Sequence, residues 1–143
     1  MHSAFDGEGA RIAGGRWNQA GTPVVYTSGT LALAALESLV HFDMAEAPDD
    51  LVCMDAAVPD SIRIGELKLN DLPDNWRQYP APEELARLGT GWVESGTTAV
   101  LAVPSAVIPS ERNYLINPAH RDFGRIRIGV PQLFVFDPRL LLR

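Results

Sequence analysis

The 143-residue sequence contains one cysteine, Cys53, and one lysine, Lys68. A lone cysteine closes no intramolecular disulfide and offers no Cys pair at zinc-ligand spacing. Set inside the apolar run from Leu51 to Val58, Cys53 reads as a small buried hydrophobe in a reducing compartment, so the cytoplasm is the expected location. No stretch reaches the ~18 apolar residues that span a bilayer, and Met1-His2-Ser3 does not open a charged-then-apolar leader. Neither a membrane anchor nor export is expected. Basic charge is also scarce: Lys and Arg total 12 against 18 Asp and Glu, for a formal net charge of −6. That balance argues against direct nucleic-acid binding, which rests on neutralising phosphates. The three histidines, His2, His41 and His120, have no metal-binding spacing, and no metal is expected. No glycine motif of the P-loop or Rossmann type follows a strand, and neither an internal repeat nor a low-complexity linker divides the chain.

What remains is a composition of 46% hydrophobic and 21% charged residues, which fits one globular domain. A chain of this size buries about 68–70% of its unfolded surface, enough for a core without disulfide or metal staples. Apart from Lys68 every basic residue is Arg, whose planar fork grips phosphate or carboxylate bidentately.

Local patterns predict the elements. Phe5 to Asn18 holds four glycines in fourteen residues, which suits a loop held close to something. A short strand is expected over Val24-Val25-Tyr26-Thr27, then a helix capped by Thr30 that buries Leu33, Leu36, Leu39 and Val40 and places Glu37 one turn before His41. Strands are expected over Leu51 to Val58 and Ile62 to Leu69, and a helix from Pro82 ending near Gly89 or Gly91. A strand over Ala99 to Val103, an irregular segment from Pro104 to Pro118, and strands over Ile126 to Val130 and Leu133 to Phe136 complete the chain. Strands outnumber helices without regular alternation, so the fold class is α+β.

Several residues have chemistry to offer, each with a plainer alternative. Gly14-Gly15-Arg16-Trp17-Asn18 is a clamp for phosphate, or a tight turn with a surface arginine. Tyr26 is a site residue or a core tyrosine with its hydroxyl satisfied locally. Glu37 interrupts an apolar helix face, where a carboxylate needs a partner, or it pairs with His41 in solvent. Ser105 lacks a nucleophile elbow or a Ser-His-Asp order, which makes a hydrolase triad a weak reading. Asn113 and Asn117 suit the bracing of irregular backbone. Arg121, Arg125 and Arg127 form an anion site or a solvated basic patch.

Taken together and in order, Gly14-Gly15-Arg16-Trp17-Asn18, Gly21-Thr22-Pro23-Val24-Val25-Tyr26-Thr27, Leu31-Ala32-Leu33-Ala34-Ala35-Leu36-Glu37, and Val103-Pro104-Ser105 with Asn113 and Asn117-Pro118-Ala119-His120 resemble the RES domain family. These are toxins of bacterial RES–Xre toxin–antitoxin pairs, and the resemblance runs from about Phe5 to Leu140. It implies an ADP-ribosyltransferase-like small domain with a split, curved sheet around an NAD-binding cleft. It implies catalytic roles for Arg16, Tyr26, Glu37 and Ser105, and NAD contacts from Gly15, Arg16, Trp17, Tyr26 and Asn113. The implied activity is cleavage of the nicotinamide–ribose bond, by hydrolysis or with inorganic phosphate as co-substrate, held in check by an Xre-type antitoxin. ADP-ribosyl transfer to a protein, or a binding module without catalysis, are the alternatives. Family members usually carry a further N-terminal strand ahead of this segment; without it the resemblance implies an unpaired sheet edge open to self-association or to a partner.

Overall fold

The structure is a computed structural model that describes residues 5–42 and 48–142; His2 and the segment ahead of Phe5 lie outside it. In chain order the elements are α1 (Glu8–Ala13), β1 (Val25–Ser28), α2 (Leu31–Leu39), β2 (Val52–Cys53), β3 (Ala56–Ala57), β4 (Ile64–Glu66), α3 (Glu83–Ser95), β5 (Val100–Pro104), β6 (Arg112–Ile116), β7 (Arg127–Ile128) and β8 (Gln132–Leu133). The architecture is a mixed α+β domain. Its central sheet runs β1-β6-β5-β4, while β2 with β8 and β3 with β7 form two separate two-stranded ribbons. β6 lies antiparallel to both β1 and β5, whereas β4 joins β5 in parallel.

Alternation along β5 and β6 sends side chains to opposite faces. On one face Leu101, Val103 and Leu115 pack with Trp17, Val24, Trp76, Leu85 and Trp92 in a core built under α3. On the other, Val25, Val100 and Ile116 pack with Ile62, Ala99 and Ile126. All five residues of β5 are buried, as expected for an inner strand covered on both faces.

Several elements differ from the sequence expectation. The glycine-rich opening is not all loop: α1 sits inside it between Gly7 and Gly14, both at positive φ (76° and 73°). β1 is shifted one residue from the expected strand. Thr30 does cap α2, its Oγ1 accepting from the Leu33 N–H at 3.1 Å. Of the face assigned to the core, however, Leu33 is buried while Leu36 and Val40 are 38% and 60% exposed, because α2 packs on the sheet along one narrow line. Leu51 to Val58 is two short strands instead of one, and Cys53 is only half-buried.

The expected strand over Ile62 to Leu69 keeps only its middle, with Ile62 buried and Ile64 exposed. The helix from Pro82 passes through Gly89 and Gly91 and stops at Gly96, whose left-handed conformation (φ 63°) lets its N–H cap Trp92 and Val93 carbonyls. The stretch expected to be irregular, Pro104 to Pro118, contains β6, a strand paired on both sides. No helix of the described residues is long and apolar enough to cross a membrane.

Candidate active site

The cap at Thr30 fixes where α2 starts, and with it the side on which Glu37 emerges, one turn beyond buried Leu33. Glu37 reaches over the end of the sheet. Its Oε2 accepts from the Ser105 hydroxyl at 2.6 Å and its Oε1 from Asn113 Nδ2 at 3.1 Å. Ser105 follows β5 directly, and Asn113 sits in β6 opposite Val103, so the pairing register of these strands sets the spacing of the two donors. Asn113 Nδ2 also donates to Ser28 Oγ at 3.0 Å, tying in β1.

Ser105 is wholly buried, and its hydrogen-bonding capacity is fully used. The hydroxyl gives its proton to Glu37 and accepts the Val107 and Ile108 N–H groups, each at 3.1 Å. A serine hydroxyl has one donor and two acceptor positions. With all three engaged and no histidine at Oγ, Ser105 is built to hold a carboxylate and not to act as a nucleophile. Charge-assisted bonds of this kind are about twice as strong as neutral ones, which fixes the Glu37 carboxylate firmly in place.

The second half of the site is the turn Gly15-Arg16-Trp17-Asn18, closed by the Gly15 N–H to the Asn18 carbonyl at 3.0 Å. Arg16 and Trp17 share its apex. Trp17 is buried in the core under α3; an indole at that depth offers no free face, so the NAD contact that the resemblance implies for Trp17 is not one its side chain can make. Its N–H instead donates to Tyr26 Oη at 2.9 Å, and Tyr26 donates to Asn18 Oδ1 at 2.6 Å.

Asn18, named from the sequence only as the last residue of the glycine-turn clamp and given no role of its own, is buried and is the hub of this region. Its Nδ2 donates to the Ala10 and Thr22 carbonyls at 2.8 and 2.9 Å, joining α1, the turn and β1. The only sequence signal for it was a polar residue closing a glycine turn. Gly15 is required by close approach, since a Cβ there would lie 2.7 Å from Tyr26 Oη and 3.0 Å from Asn18 Oδ1.

Arg16 Nη1 donates to the Trp76 carbonyl at 2.6 Å. Burial pulls the guanidinium below its ordinary pKa, opposed by the neighbouring Tyr26, Glu37 and Tyr79. Those three groups lie within electrostatic range of one cation. Burial also raises the Tyr26 phenol to about 12, against the opposing pull of the Trp17 N–H and Arg16. Tyr26 is 40% exposed, so its ring borders open space while its hydroxyl is tied down.

Tyr26→Phe tests this pinning. It leaves the Trp17 N–H and Asn18 Oδ1 without partners, and stranding a buried polar group costs about 1–3 kcal/mol. A fall in the urea midpoint of that order is expected. The wild-type protein should also lose stability as pH rises from 10 towards 12, where the unfolded tyrosine has released its proton and the folded one has not. Tyr26→Phe should lose this dependence; an unchanged alkaline profile would contradict the pinned hydroxyl.

The other candidates lie apart from this cluster. His41 follows the end of α2 in an exposed position, and Glu37 is engaged elsewhere. His120 Nδ1 accepts the Asp122 N–H at 3.0 Å. Asn117 braces backbone, donating to Val93 O and accepting from the Ala119 N–H. Arg125 pairs with Asp122 and Ser61, and Arg127 lies in the β3–β7 ribbon. A cleft of about 930 Å³ opens between the other face of the sheet, α2 and the ribbons. Tyr26 and Ser28 line it, and Ser28 accepts from the same Asn113 amide that holds Glu37, so the cleft borders the Glu37 site.

The sequence pattern of the RES domain matches residues 1–137. The chain is 40% identical over 141 residues to "Toxin Res" of Yersinia enterocolitica, covering 98% of this chain and 92% of that protein. It is 37% identical over 139 residues to the "Prs ADP-ribosylating toxin" of Sphingobium sp. strain YBL2, with coverage of 96% and 86%. A second "Toxin Res", from Photorhabdus laumondii, is 36% identical over 143 residues, with coverage of 99% and 90%. With the match spanning residues 1–137, Arg16, Glu37 and Ser105 among them, the chain belongs to the RES domain family of toxins.

Proposed function

We propose that this site cleaves the bond between nicotinamide and ribose in NAD. The observation that carries the reading is the Glu37 carboxylate, held by Ser105 and Asn113 and within the electrostatic range of Arg16. As the C1′–N bond breaks, its electron pair leaves with nicotinamide and the ribose gains oxocarbenium character, as in glycoside cleavage. A carboxylate fixed beforehand stabilises that charge without reorganising during the reaction. Arg16 holds the phosphates with its planar fork, and the exposed part of the Tyr26 ring fences the nicotinamide. Ser105 acts through Glu37.

The ribose C1′ then bonds to an acceptor oxygen, from water or from inorganic phosphate. Transfer to a protein acceptor is the second reading, favoured by the 37% identical relative named an ADP-ribosylating toxin. An Xre-type antitoxin is the proposed partner that neutralises the activity.

The test is the NAD concentration over time with purified protein, with and without phosphate, and with products resolved by mass. Phosphate-dependent loss yielding phosphorylated ADP-ribose establishes phosphorolysis, and phosphate-independent ADP-ribose establishes hydrolysis. Label transferred to a protein band instead supports the second reading. A folded protein that neither consumes NAD nor transfers label from it overturns both.

A further inference from the structure

The segment facing Arg16 carries an aromatic side chain with no role so far. Between β4 and α3 the chain makes successive turns, the Trp76 N–H bonding Pro73 O at 3.1 Å and the Gln78 N–H bonding Asn75 O at 3.0 Å. Trp76 is sunk into the core, and its carbonyl receives Arg16 at 2.6 Å, so the segment is fastened to the site from within. Tyr79, on the same segment, is 81% exposed. Its hydroxyl bonds none of the described residues, and it stands three residues beyond the Trp76 carbonyl that Arg16 holds.

Tyr26, bonded to the residue after Arg16, and Tyr79, three residues from the carbonyl that Arg16 donates to, are therefore both tied to the arginine turn. One is pinned by its hydroxyl, the other exposed. An aromatic ring left in water next to a phosphate-binding arginine suits a ligand in which ring systems flank a pyrophosphate, since a π-face stacks on any base.

We propose that Tyr79 contacts the substrate, its ring stacking on one of the two heteroaromatic rings of NAD while Arg16 holds the pyrophosphate between them. The proposal rests on the NAD reading above and adds a residue that governs binding and not bond cleavage. Because Tyr79 is exposed, removing its ring leaves the fold unchanged.

Steady-state NAD consumption by the wild type and by Tyr79→Ala, Tyr79→Phe and Tyr79→Trp tests it. Tyr79→Ala should raise KM about tenfold, within the range of base–aromatic stacking, with kcat within about twofold and an unchanged melting temperature. Phe and Trp should keep a near wild-type KM. Inhibition by ADP-ribose and by nicotinamide, each measured on wild type and Tyr79→Ala, identifies the stacked ring by which inhibitor weakens. An unchanged KM in Tyr79→Ala, with wild type consuming NAD, overturns the proposal and leaves the NAD reading standing. Equal loss in Tyr79→Phe and Tyr79→Ala also overturns it, since the hydroxyl and not the ring would then matter. Wild-type protein that neither binds NAD in an equilibrium titration nor consumes it removes both.

Discussion

Replacing Glu37 by Gln is expected to lower the rate of NAD cleavage by at least 10²–10³-fold, the scale of removing one preorganised group that stabilises transition-state charge, about 2.7–4 kcal/mol. The substitution keeps the shape and removes the charge. It also creates a mismatch that the geometry makes explicit: both neighbours of the carboxylate are donors, the Ser105 hydroxyl at 2.6 Å and the Asn113 amide at 3.1 Å. Ser105 cannot reverse its role, because both of its acceptor positions already serve the Val107 and Ile108 N–H groups. The Gln oxygen therefore turns to Ser105 and its NH₂ meets the NH₂ of Asn113, a donor against a donor.

The loss should fall on kcat, with KM for NAD changed little, since Arg16 and Tyr26 keep their own bonds. A melting temperature close to wild type separates the chemical effect from unfolding. A Glu37→Gln protein that cleaves NAD within threefold of wild type would remove the carboxylate from the mechanism.

Where the sequence was informative, the signal was local. Thr30 ahead of an apolar run announces a capped helix, and Val24 to Thr27 reads as a strand from its β-branched residues, to within one residue of β1. The misreadings have a common cause in tertiary context. Arg112 to Ile116 lacks the composition of a buried strand, yet it is paired on both sides by β1 and β5; pairing partners, not propensity, make it a strand.

The glycines between Gly7 and Gly15 suggested a loop throughout, whereas Gly7 and Gly14 bracket a short helix. In the same way the residue types Glu37, Ser105 and Asn113 are visible in the sequence, but their convergence depends on the register of strands far apart in the chain. Trp17 is the contrasting case. The resemblance implies an NAD contact for it, and its side chain is buried in the core.

Gly89→Ala should be strongly destabilising although Ala is the better helix former by about 0.8–1 kcal/mol. A Cβ at Gly89 would lie 1.6 Å from the Trp17 carbonyl oxygen and 2.7 Å from its carbon. Both atoms are backbone, so no side chain can swing aside. To restore ordinary contact, α3 and the Gly15–Asn18 turn must part by roughly 1.5–2 Å, set against normal separations near 3.5 Å.

That movement pulls Trp17 from the core and stretches the bond from the Gln19 N–H to Thr90 Oγ1, now 3.0 Å. It also shifts the Trp17 N–H that holds Tyr26. Overpacking of this kind costs about 1–3 kcal/mol, and the disturbed buried bonds add to it, so a net loss of at least about 2 kcal/mol is expected after the gain in propensity. Gly91, two residues along the same helix and with no neighbour within 4 Å of an added Cβ, is the internal control. Gly91→Ala should be stabilising by about 0.5–1 kcal/mol.

The two substitutions share one helix and one chemical change, and they differ only in what the added methyl meets. Urea midpoints moving in opposite directions, with NAD cleavage reduced in Gly89→Ala alone, would show that the arginine turn takes its position from α3. Equal stabilisation of both proteins would mean that the turn moves without cost, and the fixed geometry assigned to Arg16 and Tyr26 would have to be abandoned.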